Sequence, residues 1–379
     1  MSGKKFNLFS LDTLVLIVWL VATAALFISY ASSYADPRSF SFVPLFGLAY
    51  PLIISANLVL FLYWLIRKRW KLVFTSLVFI IIGFPLHSRF ITFSKSTSPS
   101  ESANSLQVMS YNVRLFDVYN WLERGTETRD DIYTYLENNP VDVLCFQEFY
   151  YEESPGEYNT IQTIRKRTGL SNKHGRYTSG SHGKAHFGVI TFSRYPIINS
   201  GHILLNSVAS NHCIYTDIQK DSVIFRVYNL HIGSIQIQDD EYDLFSEKPN
   251  NLKLDKTERS KRLVGRLLSA YTKRIEQVEV ILEHSKQSPY PVIICGDFND
   301  TPISYAYNQF HKHYTDAFLT SGNGIGTTYT GKIPANRIDF IFYDTSFHAT
   351  DFKIQEEILS DHRAIQSTLE IRSLNSGGE

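Results

Sequence analysis

Six times in this 379-residue sequence, a short apolar run delivers a carboxylate, an amide or an imidazole. PVIICGDFNDTP (291–302) turns from apolar residues to Asp297 and Asn299. VMSYN ends on Asn112, VDVLCFQE on Gln147 and Glu148, and FRVYNLH on Asn229 and His231. RIDFIFY carries Asp339 inside such a run, and LSDH sets Asp361 beside His362. One such ending is ordinary turn chemistry, because Asp and Asn next to Gly or Pro are common turn formers. Six of them point instead to a site assembled at strand ends, which are rigid and open onto clefts.

The chemistry that wants this set is metal-assisted attack of water on a phosphate ester. A hard cation such as Mg²⁺ or Mn²⁺ takes carboxylate and amide oxygens and offsets charge on the phosphoryl group. A histidine held by a carboxylate can accept the proton of the attacking water near neutral pH. Asn side chains can donate to the phosphate oxygens. Asp339, between Ile338 and Phe340, would be a costly unpaired carboxylate in a core unless a histidine or cation meets it, and His362 is the natural partner. Asp300 reads as a cap or turn residue, and His186 as a strand-edge histidine.

The segments SYNVR, CFQE, FGVITFSRYPI, YNLHIG, GDFNDTP, RIDFIF and SDHRAI run in order from Ser110 to Ile365. Together they resemble the endonuclease/exonuclease/phosphatase superfamily, which includes DNase I, exonuclease III-type nucleases and neutral sphingomyelinases. The resemblance implies an α/β fold, a DNase I-like sandwich of two mostly antiparallel sheets flanked by helices. It also implies roles. Glu148 would be the principal metal ligand, with Asn112 and Asp361 beside it. His362 would be the general base, oriented by Asp339. Asp297 would position water or protonate the leaving oxygen, while Asn299 and His231 hold the phosphate. Arg363-Ala364 stands where many relatives carry a residue followed by Pro, and Arg363 could contact substrate.

Composition bounds the rest. Formal net charge is zero, so no global field favours nucleic acid. Three cysteines (Cys145, Cys213 and Cys295) make neither a disulfide framework nor a zinc cluster. Apolar residues crowd the N-terminus in three runs, expected to span a membrane at about 11–32, 42–66 and 72–91, since a bilayer core needs ~20 apolar residues per helix. Lys4 and Lys5 precede the first run, and Arg67, Lys68, Arg69 and Lys71 separate the second from the third. Basic residues stay cytoplasmic, which places everything after the third run outside.

The elements must then deliver the strand ends. The expected organisation is an integral membrane anchor over 1–94, a Ser-rich linker over 95–105, a catalytic domain over 106–372 and a tail over 373–379. Strands are expected at 106–111, 141–146, 188–192, 213–218, 222–230, 292–295 and 338–343, with helices near 127–137, 158–167 and 257–286. Between His231 and Arg274 lies an insertion with an acidic part at 239–243 and a basic amphipathic part at 256–271. That part packs its apolar stripe on its own domain or, alternatively, lies on anionic lipid. The expected activity is that of a membrane-anchored phosphodiesterase acting on a lipid or glycolipid headgroup in preference to nucleic acid. The competing class is a catalytically silent binding module tethered to the membrane. No obligate protein partner is evident.

Overall fold

Alternation along the strands sets the architecture. With strands numbered in chain order, β2 (Ser105–Asn112) sends Leu106 and Val108 to one core, and Met109 and Tyr111 to another. β3 (Val143–Glu152) divides Val143 and Cys145 from Leu144 and Phe146 in the same way. From the facing sheet, β8 (Val223–His231) and β9 (Val292–Asp297) give Phe225, Val227, Ile293 and Cys295 to the shared core. Their alternate residues Tyr228, Leu230 and Ile294 pack outward, under the helix Lys256–Lys286. Period-two side chains thus build one core between the sheets and one behind each.

A computed structural model describes residues 11–94, 104–153, 156, 158–179, 185–205, 211–233, 256–331 and 337–372. The acidic 239–243 stretch, most of the 95–105 linker and the 373–379 tail lie outside the described residues. One six-stranded sheet runs β13 (Phe347–Ile354), β14 (Ile365–Ile371), β2, β3, β5 (Ala185–Ser193), β4 (Asn172–Ser179). The other runs β10 (Thr315–Asp316), β12 (Asp339–Tyr343), β9, β8, β7 (His212–Lys220), β6 (Ile197–Ile203). Every pairing is antiparallel except β2 with β3 and β8 with β9, one parallel pair in each sheet. The two-sheet α/β sandwich expected from the resemblance is the fold.

The N-terminal segment departs from expectation. Leu11–Ala31 is the one described helix long and apolar enough to cross a membrane by length and composition. The second run breaks at Ala49 into Val43–Leu48 and the 17-residue helix Tyr50–Ile66, with prolines at both helix starts. Proline favours the first helical turn, so Pro44 and Pro51 each open a new helix. The third run gives only the 13-residue helix Trp70–Ile82. After it come a short turn, Phe84–His87, and β1 (Ile91–Phe93), which pairs with β11 (Asn323–Ile325) in a separate two-stranded sheet. Gly83 and Pro85 end that helix; they do not lie within it. Three full-length spans are therefore not seen.

The basic amphipathic part of the insertion begins the 31-residue helix Lys256–Lys286. Leu263, Leu267 and Tyr271 are buried against Leu45 and Leu48 of the N-terminal segment, so the apolar stripe is covered within the molecule. All three cysteines are free and buried.

Candidate active site

Register brings the chemistry together. In the second sheet, parallel pairing sets His231 opposite Asp297, and antiparallel pairing sets Asp339 opposite Asp297 from the other side. One row across three strands therefore carries Asp339, Asp297 and His231 in that order, two carboxylates followed by an imidazole. In the first sheet the parallel pair aligns Asn112 with Gln147, and a bulge in β3 between Phe146 and Phe149 follows. Inside that bulge Glu148 takes φ 48°, a left-handed conformation unfavourable for a glutamate. The bulge re-aims its carboxylate out of the alternation, a device common beside active sites.

The two rows meet across the top of the sandwich. The amide nitrogen of Asn112 donates to Asp297 Oδ2 at 3.0 Å and to Glu148 Oε1 at 3.3 Å. His231 Nε2 lies 3.6 Å from Glu148 Oε1 and 3.6 Å from Asp297 Oδ2. His362 Nε2 is 3.7 Å from the same Asp297 oxygen, and its Nδ1 sits 2.9 Å from Asp339 Oδ2. Asp361 lies on the far side, with Arg114 Nε at 3.4 Å from its Oδ2. Asp297, Asp339, His231 and His362 are all buried.

Burial raises the pKa of Asp297, although His362 and His231 oppose the shift. Asp361 is likewise raised by burial, against His362 and Arg114. At His362 burial favours the neutral ring, but the carboxylates of Asp339, Asp297 and Asp361 outweigh it and hold the pKa well above the ordinary value. Both shifts point upward, so the neutral form of Asp297 and the charged form of His362 are each favoured.

Two donor sets are possible for a cation. Ligand atoms of Asp297, Asp339 and His362 lie within 4.8 Å of one another. In that set His362 Nδ1 is already hydrogen-bonded to Asp339, which leaves Nε2, facing Asp297, as the free ring nitrogen. Glu148 and Asp361 keep carboxylate oxygens that are partly open to solvent, which suits a hard cation that retains waters. Asn112 meets Glu148 through its nitrogen, while its Oδ1 accepts from the Arg114 backbone N–H. Here its amide aligns two carboxylates, and serving as a ligand would require the amide to turn over.

Asn299 follows at the tip of the β9 turn, with φ 51° and its N–H donating to Asp297 Oδ1 at 2.8 Å. Its Nδ2 is buried without a hydrogen-bond partner among the described residues. Arg363 is half-buried, its N–H bound to Thr328 O at 2.7 Å and its Nε without a partner among the described residues. Gln147 and Asn229 bond to each other at 2.7 Å in the interior, where Asn229 also donates to Phe146 O and Ile190 O. They brace the sheets and do not face the site.

Several contributors carry no sequence signal. Thr328 Oγ1 accepts from the N–H groups of Ile338 and Asp339, fixing the start of β12. Tyr329 sets its ring edge-on to His362 at 5.2 Å. Ser360, inside the SDH triplet, donates to Asn112 O at 2.9 Å and ties the loop before β14 to the end of β2 in the same sheet.

Comparison with known proteins places this geometry. A domain of unknown function matches residues 12–90. No curated protein matches the chain. Among solved structures, the endonuclease/exonuclease/phosphatase of Bacteroides vulgatus is similar at 18% identity and TM-score 0.51, covering 71% of this chain and 99% of that one. That of Beutenbergia cavernae follows at 16% identity and TM-score 0.52, covering 71% and 72%. A humanized D. rerio TDP2 gives 17% identity and TM-score 0.50, covering 71% and 100%. These likenesses concern the fold. The endonuclease/exonuclease/phosphatase family model matches residues 109–362, well over half of the chain. The chain belongs to that family, and is a hydrolase acting on phosphate ester bonds.

Proposed function

We propose that this protein is a membrane-anchored, metal-dependent phosphodiesterase in which His362 is the general base. The observation that carries the reading is the convergence on Asp297 of Asn112, His231 and His362, drawn from both sheets, with Asp339 behind the second histidine. A divalent cation held by Glu148 and Asp361 would offset negative charge on the phosphoryl oxygens and on the leaving group. Asp339 accepts the Nδ1 proton of His362, which fixes the tautomer and leaves Nε2 free to take a proton from water. Asp297, held by burial toward its protonated form, is suited to give a proton to the leaving oxygen. Asn299 offers its unpartnered Nδ2 to the phosphate, and His231 supports it from β8. A silent binding module would have no use for the buried Asp339–His362 pair.

Substrate and location form the finer part of the proposal. An enzyme anchored beside its substrate works at a raised effective concentration, which favours a lipid or glycolipid phosphodiester over free nucleic acid. The active site lies outside the cytoplasm, as the basic loop at 67–71 indicates. The deciding assay uses the full-length chain with bis(p-nitrophenyl) phosphate, sphingomyelin, phosphoinositides, DNA and RNA. Chelating divalent metal abolishes hydrolysis, and Mg²⁺ or Mn²⁺ restores it. His362→Ala lowers the rate by the ~10²–10⁴-fold attributed to general-base catalysis. Full activity in His362→Ala would overturn the assignment.

A further inference from the structure

The turn that follows the catalytic end of β9 is gripped from the N-terminal segment. Arg89, buried just before β1, donates from Nη1 to Pro302 O at 3.1 Å and from Nη2 to Asn308 Oδ1 at 3.2 Å. Its guanidinium also lies 5.2 Å from the centre of the Tyr307 ring. One residue further along the turn, Ile303 O accepts from Ser33 Oγ at 2.7 Å. The Ile303 side chain is wholly buried among Leu26, Tyr30, Tyr50, Leu86 and Phe90. Two successive carbonyls of the turn are thus satisfied by residues more than two hundred positions earlier.

The other side of the turn is held as well. Asp300 Oδ2 meets Arg274 Nη1 at 2.8 Å, and Arg274 Nη2 donates to Gly233 O at 2.9 Å. Helix Lys256–Lys286 therefore joins the turn to the chain just beyond His231. The segment Asp297–Ile303 lies between this helix and the N-terminal segment. Asp297 and Asn299, at its start, have little freedom of their own. A buried guanidinium is costly, and Asp316, a buried carboxylate of this region, is taken by Arg337 at 2.6 Å and Tyr307 at 2.8 Å. Arg89 places one donor on the turn and the other on Asn308 of the helix Tyr305–His311 that follows it.

We propose that the N-terminal segment is part of the catalytic unit, with Arg89 as a positioning residue that fixes the Asp297–Ile303 turn. The inference rests on reading Asp297 and Asn299 as groups that act on the phosphate. It assigns to the 12–90 region a role beyond anchoring. Small misplacements of catalytic groups cost up to ~100-fold in rate, so loss of the Arg89 contacts is read in kcat more than in KM.

The test compares full-length wild type, Arg89→Met, Arg89→Lys and Ser33→Ala in detergent micelles, with bis(p-nitrophenyl) phosphate and Mg²⁺. Arg89→Met lowers kcat by about 10- to 100-fold with little change in KM. Arg89→Lys recovers part of the rate, and Ser33→Ala loses a smaller part. Hydrogen exchange at 297–304 quickens in Arg89→Met while β2 keeps its protection. Wild-type kcat in Arg89→Met would overturn the inference, as would exchange quickening equally throughout the sandwich. If the wild type leaves this diester untouched, the functional reading fails on its own, and exchange at 297–304 alone decides the positioning role.

Discussion

Asp339 and His362 work as one group. Asp339 accepts the hydrogen bond of His362 Nδ1, and the field of Asp339, Asp297 and Asp361 overcomes burial to raise the ring's pKa. In the proposed reaction His362 must be neutral to accept a proton, so the rate is expected to climb as pH rises through that raised pKa. Asp339→Asn removes one of the charges that raise it, and the acid limb of kcat/KM moves to lower pH. The maximal rate falls by ~10²–10⁴-fold, because the ring loses the carboxylate that orients it and steadies its charged form. A pH–rate profile of the variant against wild type checks both effects, and an unmoved acid limb would assign control to a different group.

At the scale of elements, the site depends on strands β8 and β9 running close and parallel at their ends. Gly296, just before Asp297, has φ 144°, and a Cβ there would lie 1.9 Å from the Leu230 carbonyl oxygen. Relief requires the two strands to part, which would separate His231 from Asp297. Gly296→Ala destabilises the fold by at least the ~1–3 kcal/mol typical of overpacking, and lowers activity. Gly265→Ala, on the helix Lys256–Lys286 with open space around it, is neutral or stabilises by up to ~1 kcal/mol. Thermal unfolding of the two variants separates them, and equal melting points would show that the strand contact yields. The same scale explains what the sequence announced. β2, β3, β8, β9 and β12 are buried on both faces, so they read as apolar runs that stop on polar groups. β4 (NKHGRYTS) has no apolar alternation, and β6 is largely exposed. β13 loses its period at the bulge between Ala349 and Asp351. Each lacks the pattern by which a strand is recognised. Site residues on apolar runs were legible for the same reason, whereas Thr328 and Tyr329 sit in an irregular stretch that only tertiary contact brings to β12 and His362. The three apolar runs do not each read out as one helix, because Pro44, Pro51 and Gly83 mark helix ends inside or after them.

The whole molecule has two distinct ends. Leu11–Ala31, about 30 Å long at 1.5 Å per residue, separates them. At its start Asp12 binds Arg67 at 3.0 Å and Arg69 at 3.2 Å, within the basic loop. Beyond its other end, Ser33, Arg38 and the pair Leu45 and Leu48 all bond or pack onto the sandwich, Arg38 reaching Glu279 at 2.6 Å. Sandwich and basic loop therefore lie at opposite ends of the helices. Leu14, Val21, Leu52, Val59, Phe74 and Ile81 on those helices are exposed, an apolar surface of the kind lipid covers. Tyr50–Ile66 and Trp70–Ile82 are shorter than a ~30 Å hydrocarbon core demands, and a local thinning of the bilayer or flanking residues would accommodate them. Because the two ends are fixed by packing, the proposed anchoring would let the positive-inside rule orient the whole protein at once. An alkaline phosphatase reporter, active only outside the cytoplasm, is expected to be active when fused after Glu379 and silent when fused after Lys71. The reverse pattern would place the active site in the cytoplasm. Activity at both positions would show that the apolar helices lie on one side of the membrane, with the sandwich resting on its surface.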